Sequence, residues 1–202
     1  MGFGVYEHVA TMRTGSTPSH EVTDLVLLRA QRGEAAACRV LVLRHQRRVV
    51  GQLRAMLAPV GRGGLVEDLA QETFLRAFRA LPRFRGDGRA SLGTWLVTIA
   101  TRVALNELRR RPLRTECLDT VTESLGGGEA AIVERHASAQ AIERAVADLS
   151  PAYRGAFLLR ELHGLDYGEI AEVLQVDVGT VKSRLSRARA KLRHALAEVH
   201  HG

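Results

Sequence analysis

Between Val178 and Arg193 the chain carries six cationic side chains, Lys182, Arg184, Arg187, Arg189, Lys191 and Arg193, and no carboxylate. Apolar residues step through the same region at threes and fours (Val178, Val181, Leu185, Ala188, Leu192, Leu196, Val199), which predicts one amphipathic helix with one buried stripe. With Val178, Val181, Leu185 and Ala188 turned inward, the outer face of its first half presents Thr180, Lys182, Ser183, Arg184, Ser186 and Arg187. Such side chains donate hydrogen bonds to phosphate oxygens and base edges, and no acid is present to repel a polyanion. A merely solvated bundle helix would intersperse Glu at i and i+4, yet none occurs before Glu198. The preceding residues supply the rest of the device. Asp166 and Glu169 have the spacing of a capping box that opens a short helix over Tyr167 to Leu174. A turn of about three residues comes next, and Asp177 caps the basic helix, giving the spacing of a helix-turn-helix whose second helix enters the major groove. Gln175 stands where such turns often have Gly, so a mildly strained positive φ is expected there.

Other chemistries find little support. The eight histidines (His8, His20, His45, His136, His163, His194, His200 and His201) form no pair with carboxylates or cysteines at metal-site spacing, so no metal is expected. No phosphate-binding P-loop, GxSxG nucleophile or Cys/His pair in context occurs, and no catalytic residue or cofactor is expected. Cys38 and Cys117, only two and without CxxC spacing, form no disulfide framework, which fits a reducing cytoplasm. The longest apolar runs, such as Val40 to Leu43 and Trp95 to Ile99, fall well short of the about 18 residues of a membrane span, and residues 1 to 18 lack the features of a secretory signal.

Positioning these side chains requires helices. The 202 residues are 46% apolar and 25% charged with only 4% aromatics, a globular composition rich in helix formers, and the fold expected is all-α. Residues 1–20 have no apolar periodicity and are expected to be a mobile tail. Helices are expected over Leu25 to Arg32, stopped at Gly33, and over Ala35 to Ala58, stopped at Pro59. A third, over Leu65 to Leu81, buries Val66, Leu69, Ala70, Phe74, Ala77, Phe78 and Leu81, and Pro82 ends it. Its opposite face shows Asp68, Gln71, Glu72, Leu75, Arg76 and Arg79, and an exposed Leu75 amid mixed charge suits a protein partner better than DNA. After a loop over Arg83 to Ala90, Ser91 to Arg111 is helical, with Trp95 on its apolar stripe and a cluster of arginines at its dipole-favoured C-terminus. Pro112 closes this first domain, residues 21–112. Residues 113–129, ending in Gly126, Gly127 and Gly128, read as a flexible linker, and residues 130–199 as a second small helical domain. There Ala130 to Leu149 forms one helix, and Ser150 with Pro151 caps the next.

The net charge of +7 divides unevenly along this plan: +10 over residues 1–115, −5 over 116–150 and +2 over 151–202. Two basic lobes flanking an acidic connector suit two contacts with one polyanion. A stand-alone regulator binding duplex DNA would account for the second lobe, and leaves the faces of the first without a role.

The segment LDYGEIAEVLQVDVGTVKSRLSRARAKLR, from Leu165 to Arg193, resembles the C-terminal promoter-reading domain of bacterial sigma factors, and LSPAYRGAFLLRELHG, from Leu149 to Gly164, is similar to the segment before it. Independently, LVEDLAQETFLRAFRALPRFRGDG (Leu65 to Gly88) and SLGTWLVTIATRVALNELRR (Ser91 to Arg110) resemble the N-terminal conserved domain of extracytoplasmic-function, or group 4, sigma factors. The resemblance extends over about residues 21–197, in the correct order across a linker. It implies a specificity subunit that brings core RNA polymerase to promoter DNA, the first lobe melting the minus-10 element and the second reading the minus-35 element. It also implies that Asp68, Gln71, Glu72 and Phe74, with Leu75, dock on the clamp coiled coil of the largest polymerase subunit. The unpaired non-template strand would be held by Asn106 at a base edge and by Arg102, Arg109, Arg110 and Arg114 at phosphates. An anti-sigma factor that sequesters the protein is a further implied partner.

Overall fold

The computed structural model describes residues 20–85, 91–110 and 144–201. These residues are helical with no strand among them, in agreement with the all-α expectation. In chain order the helices are α1 (His20–Gln31), α2 (Ala35–Leu57), α3 (Val66–Ala80), α4 (Leu92–Arg110), α5 (Pro151–Glu161), α6 (Tyr167–Leu174) and α7 (Val178–His201). Short 3-10 turns occupy Ala58–Val60, Gly63–Leu65 and Leu81–Arg83. The described residues fall into two compact units, the first carrying α1 to α3 and α4 through Glu107, the second α5 to α7. The expected tail, the loop at 86–90, the linker at 113–129, most of the 130–149 helix and Arg114 lie outside the described residues.

In the first unit α1 packs on α2 and α2 on α3. The turn between α1 and α2 needs a left-handed residue, and Gly33 at φ 82° supplies it without a Cβ clash. Leu41 of α2 clusters with Ala30, Ala37 and Leu81, while Val49, Leu53, Met56 and Leu57 of α2, Val66, Ala70 and Ala77 of α3 and Val97, Ala100 and Ala104 of α4 are likewise buried. Half-buried Trp95 packs on Phe84, with ring centroids 4.9 Å apart, as its place on the apolar stripe implies. Three polar side chains enter this core already satisfied, among them Thr73, whose hydroxyl donates to the Leu69 carbonyl at 2.7 Å. Gln52 donates to Thr101 Oγ1 at 3.0 Å, and Thr101 donates to the Val97 carbonyl at 2.9 Å. Burial pushes His45 down to about 4, with Arg44 and Arg48 adding to the effect, so it is neutral near pH 7.

Several local expectations shift. α1 begins five residues before Leu25. The residues from Gly63 to Leu65 form a 3-10 turn leading into α3, and Pro82 sits inside the 3-10 turn after Ala80. Gln31 holds that turn by donating to the carbonyls of Leu81 (3.2 Å) and Phe84 (2.8 Å). Val40 and Leu43, apolar positions of α2, are exposed, because nothing described packs over that side of the helix.

The second unit is organised by α7, against which α5 and α6 pack. Leu149, Ala156, Leu158, Leu159, Leu165, Ile170, Val181, Leu185 and Ala188 are its most buried apolar residues. The largest fully buried side chain is charged: Arg154 is 1% exposed. Its guanidinium donates to the carbonyls of Val146 (3.0 Å), Leu149 (2.9 Å) and Ala147, at and just beyond the C-terminal end of the helical turn at 144–147, the Val146 carbonyl also accepting the Leu149 N–H. A cation suits that end of a helix dipole, so burial of the charge is offset by the acceptors around it. Ser150 occupies the N-cap position of α5 with Pro151 behind it, but its side chain makes no capping bond, contrary to expectation; the extended Ser150 and the fixed φ of proline start the helix.

Candidate nucleic-acid interface

Helices α6 and α7 form the helix-turn-helix, and each of its local determinants is visible. Asp166 Oδ1 accepts from the Glu169 N–H (2.8 Å) while Glu169 Oε2 accepts from the Asp166 N–H (2.7 Å), a closed capping box. Gln175 adopts φ 54° and ψ 50°, the left-handed residue that the turn requires. Asp177 then caps α7, accepting the Thr180 N–H and the Thr180 hydroxyl, both at 2.8 Å. Those bonds, the main-chain one first, hold the Asp177 carboxyl below its ordinary value, so it is ionised and faces the positive end of the helix.

The outer face of α7 differs in three places from the one the sequence predicts. Val178, expected in the core, is 41% exposed: as the first helical residue it has no preceding turn of helix to lie beneath. The hydroxyl hydrogen of Thr180 is engaged by Asp177, and that of Ser183 by the Thr180 carbonyl at 2.9 Å, so both present acceptor lone pairs outward. The donors on this face are therefore Lys182, Ser186 and Arg187, which are exposed, and Arg184, which is half-buried. Arg187 donates to the Tyr153 hydroxyl at 2.8 Å, and Arg189 forms a 2.9 Å ion pair with Glu161. A shallow basic groove of about 680 Å³ lies along one flank, lined by Tyr167, Lys182, Ser186, Arg189, Leu192 and Arg193. No spacing rule singles out Tyr153, Glu161 or Arg154, because each meets its partner only through packing.

On α4, Arg102, Asn106, Arg109 and Arg110 are exposed and share one face of the last turns of the helix. Arg62, half-buried in the turn before α3, donates to the Glu107 carbonyl at 3.2 Å and holds the end of that helix. On α3 the outward side carries exposed Asp68 and Gln71, half-buried Glu72, and Leu75 at 53% exposure. Glu72 is paired with Arg76 at 2.6 Å. Phe74 does not join them: it is 9% exposed, with its ring stacked on Phe78 at 6.3 Å, because it lies a quarter-turn round the helix on the core side. Its ring lies beneath this face, against Phe78.

No group of three His, Cys, Asp or Glu among the described residues is placed to hold a metal ion, and no described helix is long and apolar enough to cross a membrane.

The family model for sigma-70 region 2 matches residues 41–112, and that for sigma-70 region 4 matches residues 139–192. The chain is 36% identical over 183 residues to the ECF RNA polymerase sigma-E factor of Escherichia coli strain K12, covering 85% of this chain and 93% of that one. It is 35% identical over 179 residues to the RNA polymerase sigma-H factor of Pseudomonas aeruginosa, covering 83% and 90%. Among solved structures it is similar to CnrH in complex with the cytosolic domain of CnrY, with a TM-score of 0.57, 26% identity and coverage of 86% of this chain and 96% of that one. The fold is also that of the sigma factor RpoE from Bartonella quintana, crystallised with the anti-sigma factor NepR, with a TM-score of 0.58, 23% identity and coverage of 79% and 96%. Both sigma-70 regions are matched, in order and over most of the chain, which decides against a stand-alone helix-turn-helix regulator: the chain belongs to the extracytoplasmic-function sigma factors of the sigma-70 family.

Proposed function

We propose that this sigma factor divides its work between three surfaces of the two units. Residues 21–112 form the domain that docks on core RNA polymerase and captures the opened minus-10 element, and residues 130–199 form the domain that reads the minus-35 element, with 113–129 joining them. The observation that carries this reading is the contrast of surfaces: the outer face of α7 presents Lys182, Arg184, Ser186 and Arg187 without an acid before Glu198, whereas α3 presents Asp68, Gln71, Glu72 and Leu75.

Asp177 fixes the start of α7, so the first turns of the helix can enter a major groove as a rigid rod. Arg187 and Lys182 then donate to base edges, and Arg184 and Ser186 to bases or phosphates, while Thr180 and Ser183 accept. Asn106 of α4 pairs with the edge of an unstacked base, and Arg102, Arg109 and Arg110 of α4, together with Arg114, hold the displaced strand by its phosphates. Opening the duplex needs no bond chemistry from this chain: strand capture repays the few kcal/mol of unstacking, and polymerase carries out synthesis. On α3, Leu75 supplies an apolar anchor within a ring of polar groups, the arrangement of a protein-binding hot spot. Glu72 must exchange Arg76 for a cation of the clamp coiled coil, or share its carboxylate between them. By likeness to relatives solved with CnrY and NepR, a cytoplasmic or membrane-held anti-sigma factor is the regulator that keeps these surfaces covered.

Run-off transcription with purified core RNA polymerase on a cognate promoter tests the division. Glu72→Lys is expected to weaken association with core at least tenfold and to leave thermal stability within about 0.5 kcal/mol, since the site is at the surface. Arg187→Ala is expected to leave core binding intact and to lower transcription only from promoters that depend on the minus-35 element. Tight promoter binding by the isolated protein, with no initiation on addition of core, would overturn the reading.

A further inference from the structure

Arg187 lies on the outer face of α7, and its Nη1 donates to the hydroxyl of Tyr153, in the first turn of α5, at 2.8 Å. The two residues are 34 positions apart in the chain. Tyr153 is half-buried, so its ring is held by the packing of α5, while Arg187 is exposed. The neighbouring cations are tied differently. Arg189 donates through Nε and Nη2 to the Glu161 carboxylate at 3.3 and 2.9 Å, an ion pair that with the nearby Tyr167 hydroxyl favours its charged form, and Lys191 reaches the Asp148 carbonyl at 3.5 Å.

We propose that Tyr153 is a positioning residue for promoter reading: its hydroxyl holds the Arg187 guanidinium in the orientation in which it contacts a base edge, and so sets specificity at one position of the minus-35 element. The proposal rests on the proposed function of Arg187 as a base-contacting residue. An exposed arginine loses much of its rotamer freedom when it forms a bidentate base contact, and that loss subtracts from discrimination. A fixed acceptor beside it removes part of the loss in advance. A phenol suits this purpose better than a carboxylate. It accepts one of the five guanidinium N–H groups, leaves the charge in place, and leaves enough N–H groups for a bidentate contact with O6 and N7 of a guanine. It also retains its own hydroxyl hydrogen as a donor. Glu161, in contrast, holds Arg189 as an ion pair that a phosphate would have to replace.

The test uses holoenzyme reconstituted from the full-length chain and core polymerase, and a promoter library randomised over the minus-35 element, with transcripts sequenced to give base preference at each position. Wild type, Tyr153→Phe and Arg187→Ala are compared, with core affinity and thermal unfolding measured for each. Phenylalanine keeps the ring and its packing and deletes only the hydroxyl. The expected result is that Arg187→Ala abolishes preference at one position or two adjacent ones, and that Tyr153→Phe lowers preference about fivefold at the same position and nowhere else. Core affinity and unfolding temperature should be unchanged. If Arg187→Ala relaxes a position and Tyr153→Phe keeps the wild-type profile, the positioning role is refuted and the reading of Arg187 stands. If Arg187→Ala changes no position, the base-contact reading fails and the proposal with it. A uniform loss across all sequences for Tyr153→Phe would mark a structural role and refute the proposal as well.

Discussion

Helices α3 and α7 are both amphipathic, both packed along one stripe, and differ in what they turn outward and in how they are held. α3 presents acids, an amide and Leu75 around a Glu72–Arg76 pair, a surface on which neither sign dominates. α7 presents cations and hydroxyls. A partner that is itself a protein offers apolar and mixed-charge contacts, while a nucleic acid offers a continuous array of phosphates, so the partners proposed for the two helices follow from the composition of their faces. The means of support show the same division. α3 starts from a 3-10 turn with Leu65 at its N-cap and no side-chain cap, and is fixed by the body of the unit through Val66, Thr73, Phe74 and Ala77. α7 starts from an aspartate cap that a left-handed Gln175 places, just after buried Val173 anchors the end of α6. One face is defined by tertiary packing beneath it, the other largely by local hydrogen bonds at its start.

The largest change that would break this contrast is at Phe74. Phe74→Ala removes a buried ring from beneath the α3 face and should destabilise the first unit by roughly 3 to 5 kcal/mol, read by denaturant unfolding, with loss of core binding in parallel. Leu75→Ala, one residue away but exposed, should weaken core binding and leave stability nearly unchanged. If the two substitutions behave alike, the distinction between the face and its support is wrong.

A smaller effect is expected in the turn before α7. Gln175 holds a backbone conformation that costs a side chain of ordinary size about 1 kcal/mol and costs glycine little, so Gln175→Gly should raise the stability of the second unit by up to about that amount. Loss of stability on this substitution would mean that the glutamine side chain contributes something the turn geometry does not require.

The least is a pH effect at Asp177. Its carboxyl is held below the ordinary value by the Thr180 N–H and hydroxyl, so the cap stabilises the folded chain above the unfolded value and is lost as pH falls through the lowered, folded one. In an NMR titration the Thr180 amide resonance should shift with a midpoint below the ordinary aspartate range. Asp177→Ser, which caps without charge, should abolish that titration. A midpoint at or above the ordinary value would show that the cap does not form in solution.

Helical period and local chemistry were legible in the chain before any packing was known. The spacing of apolar residues marked which segments are helical, and Asp166, Glu169, Gln175 and Asp177 specified the turn within a few residues of where they act. The run of cations without an acid made a polyanion the expected ligand of α7. Tertiary structure settled which side chains on those helices are covered and which distant groups meet. Phe74 reads as part of a docking motif and lies in the core, while Val178 continues the apolar stripe and lies outside, because coverage depends on what packs over a position and not on its period. Arg154 sits among the arginines of the sequence with nothing to distinguish it, yet it is buried against three carbonyls. Tyr153 and Arg187, Gln52 and Thr101, and Arg62 and Glu107 are each separated by more than thirty residues, far beyond the four-residue reach of a helical repeat, and only the closing of each unit brings them within a hydrogen bond.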